Sequence, residues 1–261
     1  MNILALIKQV PDDSIQVHLN AESMPDTEKI RKTANVYDTY AVEMAVRCCE
    51  KNGGQLTVLA VGDPDQENML KSLLAVGAEK AYLFSDPAFE HADEAVLAEV
   101  LVNAAKKCEK ENGVPFDLIL CGKESTDEAD SQIAARIAEI LKVGFVSSVV
   151  EFELNGNMLT AKQETDEGYN KYETAVPAVF SIAKPDYEPR YPNIRAKMAA
   201  RKAVVPVFSA QDIQSETIAP VVRCNAYRQP EKRSGGRLIC EADLEELMKR
   251  TMAALTEDKV L

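Results

Sequence analysis

One stretch, residues 116–141 with the sequence FDLILCGKESTDEADSQIAARIAEIL, constrains the fold of this chain more than any other. It begins with a short apolar run at residues 118–121, which is typical of a buried parallel strand. Gly122 ends that run, and its missing Cβ lets the backbone come close to other backbone or to a ligand. A polar turn at residues 123–129 follows, and from Asp130 apolar residues recur at helical spacing. This order predicts a βα unit whose helix N-terminus can face a phosphate.

The same alternation of strand and helix runs through the first half of the chain. Apolar runs predict further strands at residues 2–7, 55–61 and 81–84. Apolar residues at helical spacing predict the helices 39–51, 66–76, 93–112 and 130–141. Because a βαβα alternation sets its strands side by side in one direction, it predicts a parallel sheet covered by helices on both faces.

The pattern changes after Lys142. Short strands are predicted at residues 145–154, 158–162, 171–174 and 178–182. The turn Asn155-Gly156-Asn157 joins the first two, with a glycine that can supply a positive φ. The predicted fold class is therefore α/β, a parallel Rossmann-like sheet extended by antiparallel strands.

Charge and composition exclude several classes of function. The chain has a net charge of -12, which argues against general binding to nucleic acid or anionic membranes. No apolar run approaches the roughly 20 residues of a membrane span, and the apolar core of the opening segment is too short for a signal peptide. The six cysteines lack CxxC spacing, so we expect reduced thiols in a cytoplasmic protein, with no metal site.

The chain carries no motif of self-sufficient catalysis. Neither His18 nor His91 has a motif around it, and GxSxG, HExxH and the phosphate-binding P-loop pattern are absent. Four loops instead follow predicted strands and would converge at the carboxyl edge of the sheet: residues 6–10, 35–38, 61–64 and 122–133. The sequence thus predicts a protein that holds a nucleotide and has no catalytic residue of its own.

We divide the chain into a nucleotide-binding α/β domain at residues 1–202 and a C-terminal arm at residues 203–261. The arm is marked by prolines and ends in a predicted helix at residues 241–255. That helix carries an apolar stripe made of Leu244, Leu247, Met248 and Met252. The stripe either packs on its own domain or clasps another subunit.

Several segments, in order, resemble one family over essentially the full length of the chain. They are ILALIKQVPD, NVYDTYAVEMAV, LLAVGAEKAYL, LILCGKESTDEADSQIAARIAEIL and VPAVFSIAKPDYEPRYPNIRAKMAARK. In their order and spacing they resemble the beta (small) subunit of electron-transferring flavoproteins. The resemblance implies an adenine-nucleotide-hydrolase-like fold and a heterodimer with a larger alpha subunit, which carries its own FAD and is wrapped by the arm.

The resemblance is compatible with two kinds of family member, simple electron carriers and bifurcating proteins. In simple carriers the beta subunit holds a structural AMP and passes electrons between dehydrogenases and a quinone reductase. In bifurcating members the same pocket holds FAD, which takes electrons from NADH. One electron then goes to ferredoxin and one, through the alpha FAD, to an acyl-CoA-dehydrogenase-like or related flavoenzyme. Residues 164–169 resemble the glycine-tyrosine form of bifurcating members, so we expect FAD, with AMP as the alternative. A free-standing nucleotide-binding module is a third possibility, which the arm argues against.

Carried over by position, the resemblance implies cofactor contacts at Leu6, Asn35, Val36, Tyr37, Asp38, Val61, Gly122, Lys123, Glu124, Ser125, Thr126, Asp127, Glu128, Ala129, Asp130, Ser131, Gln132 and Ile133. Backbone of Leu6 and Val61 would frame the adenine. Asp38 would accept from a ribose hydroxyl or serve as an ordinary acid in the first turn of a helix. Donors to phosphate would come from Gly122, Ser131, Gln132 and Ile133.

The chain departs from the family pattern at two places. The family usually has asparagine-proline where this chain has Asn35 and Val36. The usual aspartate-glycine-aspartate-threonine run is DEAD at residues 127–130, so the carboxylate of Asp130 replaces a hydroxyl donor. An anion repels phosphate, and we expect Asp130 to cap the following helix instead.

A second functional segment is predicted at residues 184–198. Its core, residues 189–195, resembles the loop by which the family docks on partner dehydrogenases. Ile194 matches the apolar anchor of that loop, and Tyr191 and Arg195 flank it. The alternative is a rigid connector that happens to expose an isoleucine.

Overall fold

The computed structural model describes residues 1–90, 92–213, 220, 222, 224–230 and 235–260. The strands are β1 Asn2–Ile7, β2 Gln9–Pro11, β3 His18–Leu19, β4 Pro25–Asp26, β5 Lys32–Ala34, β6 Gln55–Val61, β7 Lys80–Phe84, β8 Leu118–Gly122, β9 Gly144–Asn155, β10 Met158–Thr165, β11 Gly168–Ala175, β12 Ala178–Ile182 and β13 Val207–Phe208. The helices are α1 Val36–Asn52, α2 Glu67–Leu74, α3 Glu94–Asn112, α4 Ile133–Leu141, α5 Ile194–Arg201 and α6 Leu244–Glu257.

The central element is a sheet with the strand order β11-β10-β9-β12-β8-β1-β6-β7-β13. All neighbours from β9 to β13 are parallel, whereas β10 and β11 pair in antiparallel fashion at one edge. Gly156, with φ of +64°, lies in the turn between β9 and β10. The predicted fold, a parallel sheet extended by antiparallel strands, is confirmed.

Apolar side chains cover both faces of this sheet. Successive residues of β1 alternate between the two faces, because side chains of a strand point in opposite directions. Ile3 packs with residues of α1 and α2 on one face, and Leu4 packs with residues of α3 and α4 on the other. Burial on both sides explains why the central strands read as unbroken apolar runs.

Three helices begin three residues away from their predicted starts, and one of them is α6, which begins at Leu244 rather than at residue 241. Helix α1 begins at Val36, three residues before the predicted start, and Asp38 lies in its first turn. Helix α4 begins at Ile133 rather than Asp130, because Ala129 and Ser131 adopt left-handed backbone conformations with φ of +56° and +57°. A helix cannot continue through such residues, so the polar loop extends up to Gln132.

The α/β unit extends past the boundary that we expected at residue 202. Strand β13 pairs with β7 at the edge of the sheet, and the N–H of Ser85 donates to the carbonyl of Phe208 at 2.8 Å. Val205 and Ile213 are buried against the same unit. The first residues of the predicted arm therefore complete the domain.

Helix α6 presents its apolar stripe to solvent in the single chain. No residue of this helix is buried, and Leu244 and Met248 are 69% and 61% exposed. Packing of the stripe on its own domain, one of the two alternatives, is thus not observed. Across the described ranges, none of the helices combines the length and the apolar character that a membrane crossing requires.

Candidate functional site

A cleft opens at the carboxyl ends of β1, β6 and β8, where the predicted loops converge. Its empty space is about 800 Å³, including the solvent at its mouth. It is lined by Leu6, Ile7, Lys8, Asn35, Asp38, Val61, Ala92, Glu94, Leu97, Leu101, Cys121, Gly122, Lys123, Glu124, Ser125, Glu128, Asp130, Ser131, Gln132, Ile133 and Ala134. Apolar side chains and converging polar groups in one cleft are typical of small-molecule sites.

The structure brings most of the sequence-predicted site residues to this cleft. Those that line it are Leu6, Asn35, Asp38, Val61, Gly122, Lys123, Glu124, Ser125, Glu128, Asp130, Ser131, Gln132 and Ile133. The remaining predicted residues are not part of its lining: Val36, Tyr37, Thr126, Asp127 and Ala129. Two of these support the loop instead, since the Lys123 amine lies 5.0 Å above the ring of Tyr37 and the N–H of Thr126 donates to Asn35.

One wall of the cleft is apolar and extends into the hydrophobic core. Leu6 and Leu101 are buried there, and Val61, Leu97 and Ile133 are partly buried against the same cluster. Sequence reasoning missed Leu97 and Leu101, because they come from the first turns of α3 and look like ordinary core residues. The wall offers a surface on which a flat, uncharged ring can pack.

The carboxylate of Asp38 ties two strand ends together below the cleft. One of its oxygens accepts from the backbone N–H of Lys8 and the other from that of Gly122, each at 2.8 Å. The residue is only 4% exposed. Burial raises the pKa of Asp38 to about 6, against the lowering effect of these two hydrogen bonds. Asp38 therefore fixes the relative position of β1 and β8.

Gly122 is required by the close approach of α1 to the end of β8. A Cβ at this position would lie 2.6 Å from both the Oδ1 of Asp38 and the Cβ of Tyr37. Asn35, also buried, donates from its amide to the carbonyl of Glu124 at 2.9 Å. The sequence indicated close backbone approach at Gly122, and the neighbour proves to be the start of α1.

Charged side chains surround the mouth of the cleft. The Lys8 amine donates to Asp127 at 3.0 Å, to Ser125 at 3.3 Å and to Glu128. Burial acts to lower the pKa of Lys8, but the carboxylates of Glu128 and Asp127 outweigh it and raise that pKa. Lys8 was missed as a site residue, although it follows directly after the first predicted strand.

The start of α4 leaves backbone donors available at the cleft. Its N-cap residue is Gln132, and no side chain caps this helix start within the described chain. The expectation that Asp130 caps the helix is therefore wrong. Ser131 is left-handed and Gln132 right-handed, a succession that turns consecutive N–H groups toward one point. Such a concavity, next to a helix N-terminus, suits an anionic ligand.

The predicted docking segment contributes no residue to the lining of the cleft, and it exposes the expected side chains. Tyr191 and Ile194 are 95% and 78% exposed, and Arg195 is exposed as well. The segment is held by Arg190, which bonds the buried carboxylate of Glu43 through its backbone N–H at 3.1 Å and its Nε at 2.9 Å. The exposed residues thus sit on an anchored support.

Comparison with known proteins places this fold and cleft in a family. The profile of the electron transfer flavoprotein domain matches residues 26–213. The electron transfer flavoprotein subunit beta of Thermoanaerobacterium thermosaccharolyticum is 34% identical, over 82% of this chain and 80% of the relative. That of Megasphaera elsdenii is 30% identical over the whole of both chains. The caffeyl-CoA reductase-Etf complex subunit CarD of Acetobacterium woodii is 26% identical, again over both whole chains. The chain belongs to the electron transfer flavoprotein family, among its beta subunits.

Proposed function

We propose that this chain is the nucleotide-holding subunit of a bifurcating electron transfer flavoprotein and that its cleft binds the adenosine diphosphate part of an FAD. The observation that carries the proposal is the pairing of an apolar wall with an uncapped helix start at one cleft. When bound, FAD supplies the redox chemistry, accepting electrons from NADH. The chain's own residues bind and orient it.

The residues of the cleft fit such a ligand. Leu6 and Val61, at the ends of β1 and β6, would frame the adenine against the apolar wall. Backbone N–H groups from Ser131 to Ile133 would face the phosphates. Both oxygens of Asp38 already accept hydrogen bonds, so a ribose hydroxyl would share an oxygen with Lys8 or Gly122. The main role of Asp38 would then be to hold the cleft in shape.

The proposed partners follow from two exposed apolar surfaces. The stripe on α6 would pack on an alpha subunit, which carries its own FAD, in a cytoplasmic heterodimer. Removing residues 235–261 should abolish co-purification with the alpha subunit while leaving the α/β unit folded, because no residue of α6 is buried. Unchanged co-purification of the shortened chain would contradict this role.

Electrons would leave toward two acceptors. One would be ferredoxin, and the other a flavin dehydrogenase of the acyl-CoA-dehydrogenase type that docks at Tyr191, Ile194 and Arg195. Two observations support this choice. The glycine-tyrosine pair at Gly168 and Tyr169 begins β11, and a whole-length relative is named as a subunit of a caffeyl-CoA reductase-Etf complex.

A simple carrier that holds a structural AMP is the second candidate, favoured by the fit of the same cleft to any adenylate. A free-standing module is disfavoured by the uncovered stripe on α6.

The test is to purify the heterodimer, denature it, and quantify the released FAD and AMP. The proposal predicts two FAD for each heterodimer and bleaching of flavin absorbance by NADH. One FAD and one AMP, with no bleaching by NADH, would favour the simple carrier.

A further inference from the structure

The cleft that should hold an anionic nucleotide is itself predominantly anionic. The acidic and basic side chains of its described lining, apart from the thiol of Cys121, are two lysines, Lys8 and Lys123, and five carboxylates, namely Asp38, Glu94, Glu124, Glu128 and Asp130. Each lysine is already engaged by an acid of the same loop. A phosphate group that enters the cleft therefore meets few unpaired cationic side chains. For this reason the affinity of the cleft for a nucleotide should depend on how many negative charges its phosphate carries.

The two lysines are held within their own ion pairs. Lys8 bonds both Asp127 and Glu128, so one cation faces two anions. Lys123 pairs with Glu124 at 3.1 Å. Moving either lysine onto a ligand would leave carboxylates unpaired next to the ligand's phosphate. The lysines therefore offset the acids of the loop and leave no surplus positive charge for a phosphate that carries two negative charges by itself.

Asp130 adds an unbalanced negative charge at the helix start. It lies two residues before the N-cap Gln132, and it makes no hydrogen bond or ion pair with any described residue. The donors available to a phosphate here are backbone N–H groups, which carry partial charges only. They can hold a singly charged phosphate, but they do not balance a doubly charged one beside a free carboxylate.

We propose that this cleft selects adenylates by the charge of each phosphate, accepting a phosphodiester with one negative charge and rejecting a terminal phosphate monoester with two. This selection rests on the proposed function of the cleft as a nucleotide site. The ligands that it favours contain adenosine joined through a 5′-phosphodiester or pyrophosphate bridge, as in a dinucleotide. Asp130 and Glu128 determine this specificity. A terminal monoester, whose second pKa is near 6, is mostly a dianion at neutral pH.

The test compares two ligands that differ in one charge. AMP and its methyl ester share the adenosine and the phosphorus, but at pH 8 the ester carries one negative charge. Both, with adenosine and FAD as references, are titrated by calorimetry into the heterodimer after its bound nucleotide has been removed by mild denaturant and dialysis. The wild type is expected to bind the methyl ester about tenfold tighter than AMP.

Two variants assign the selection to named residues. Asp130→Asn and Glu128→Gln each remove one negative charge, and the Gln side chain can still accept a hydrogen bond from Lys8. Each variant should bind AMP more tightly, so the ratio of the affinity for the methyl ester to the affinity for AMP should fall about threefold. Glu79→Gln, at an exposed residue just before β7 and so at the opposite, amino end of the parallel strands, removes an equal charge elsewhere and should leave the ratio unchanged.

The outcomes separate this selection from the site itself. AMP binding as tightly as its ester, or a ratio that Asp130→Asn and Glu128→Gln do not alter, would overturn the charge selection while leaving a nucleotide site. Binding of none of the four ligands would overturn the nucleotide site and the selection with it.

Discussion

The carboxylate of Asp38 accepts a hydrogen bond from the backbone N–H of Gly122 at 2.8 Å, joining the first turn of α1 to the end of β8 across 84 residues of sequence. Its second oxygen accepts from the N–H of Lys8, at the end of β1. A single buried side chain thus connects three elements that form the floor of the cleft. Changes at this point should affect the stability of the domain and the shape of the cleft together.

Replacing Asp38 with alanine should lower the free energy of unfolding by about 2 kcal/mol, because two backbone N–H groups lose their acceptor in a buried place. Chemical denaturation of the purified chain measures the change. Asp65→Ala, at an exposed carboxylate, serves as the control and should stay within about 0.5 kcal/mol of wild type. Equal effects of the two substitutions would contradict the role assigned to Asp38.

The Asp38 carboxyl should also make stability depend on pH. Burial raises its pKa from 3.8 to about 6, so the folded protein binds this proton more tightly than the unfolded chain. Its contribution to stability is therefore full below pH 4 and is lost as the pH rises through 6. By linkage the loss is about 3 kcal/mol. The advantage of wild type over Asp38→Asn in unfolding free energy should shrink across this window, and a constant difference from pH 4 to 7 would refute the assignment.

Gly122→Ala should destabilise the fold by about 2 kcal/mol and reduce the nucleotide retained by the heterodimer. The new Cβ would lie 2.6 Å from Asp38 and Tyr37, which forces α1 away from the end of β8. Gly235→Ala is the matched control, since a Cβ there has open space around it. Thermal melting and the nucleotide released on denaturation report the two effects. Wild-type values for Gly122→Ala would show that the close approach is dispensable.

Glu43 should anchor the docking segment. Burial acts to raise the pKa of Glu43, but the hydrogen bonds from Arg190 and Arg47 lower it, so Glu43 stays charged and paired at neutral pH. Glu43→Gln should cost about 2 kcal/mol and speed hydrogen exchange at residues 184–193, because Arg190 loses a buried partner. Glu50→Gln, at the more exposed partner of Arg190, should cost less than about 1 kcal/mol. A larger loss of unfolding free energy for Glu50→Gln than for Glu43→Gln would make Glu50, and not Glu43, the main anchor of Arg190.

Ile194→Asp should weaken docking of the proposed partner dehydrogenase by about 2 kcal/mol or more, because it would place a charge where the proposed apolar contact forms. Its melting temperature should remain near that of wild type, since Ile194 is largely exposed. Ile15→Asp makes the same change at another exposed isoleucine and should leave docking intact. Electron transfer to the dehydrogenase as a function of its concentration measures docking. A lower melting temperature with docking preserved would make Ile194 a structural residue.

The parallel sheet and the place of the cleft could be predicted from sequence, because both follow from the alternation of buried strands with amphipathic helices. The start of α4 could not, since Ala129 and Ser131 are not residues whose type signals a left-handed backbone. Strand β13 was missed as well. With two residues it carries no periodic pattern, and only its pairing with β7 defines it.

The hydrogen-bond and ion-pair partners of the side chains in the site could not be predicted from the sequence. The pattern allowed Asp38 to be a ribose acceptor or a helix N-terminal acid, whereas its carboxylate binds the N–H groups of Lys8 and Gly122. Leu97 could not be assigned to the cleft, because its place depends on how α3 crosses the sheet. The acidic loop was recognised in sequence, but its pairing with Lys8 required coordinates.

The most direct test of the central claim is an experimental electron-density map of the heterodimer at the carboxyl edge of β1, β6 and β8. We expect density for an adenosine with its ring against Leu6 and Val61 and for a phosphate within hydrogen-bond distance of the N–H groups between Ser131 and Ile133. A cleft that contains only solvent, in a heterodimer whose nucleotide is bound elsewhere, would contradict it.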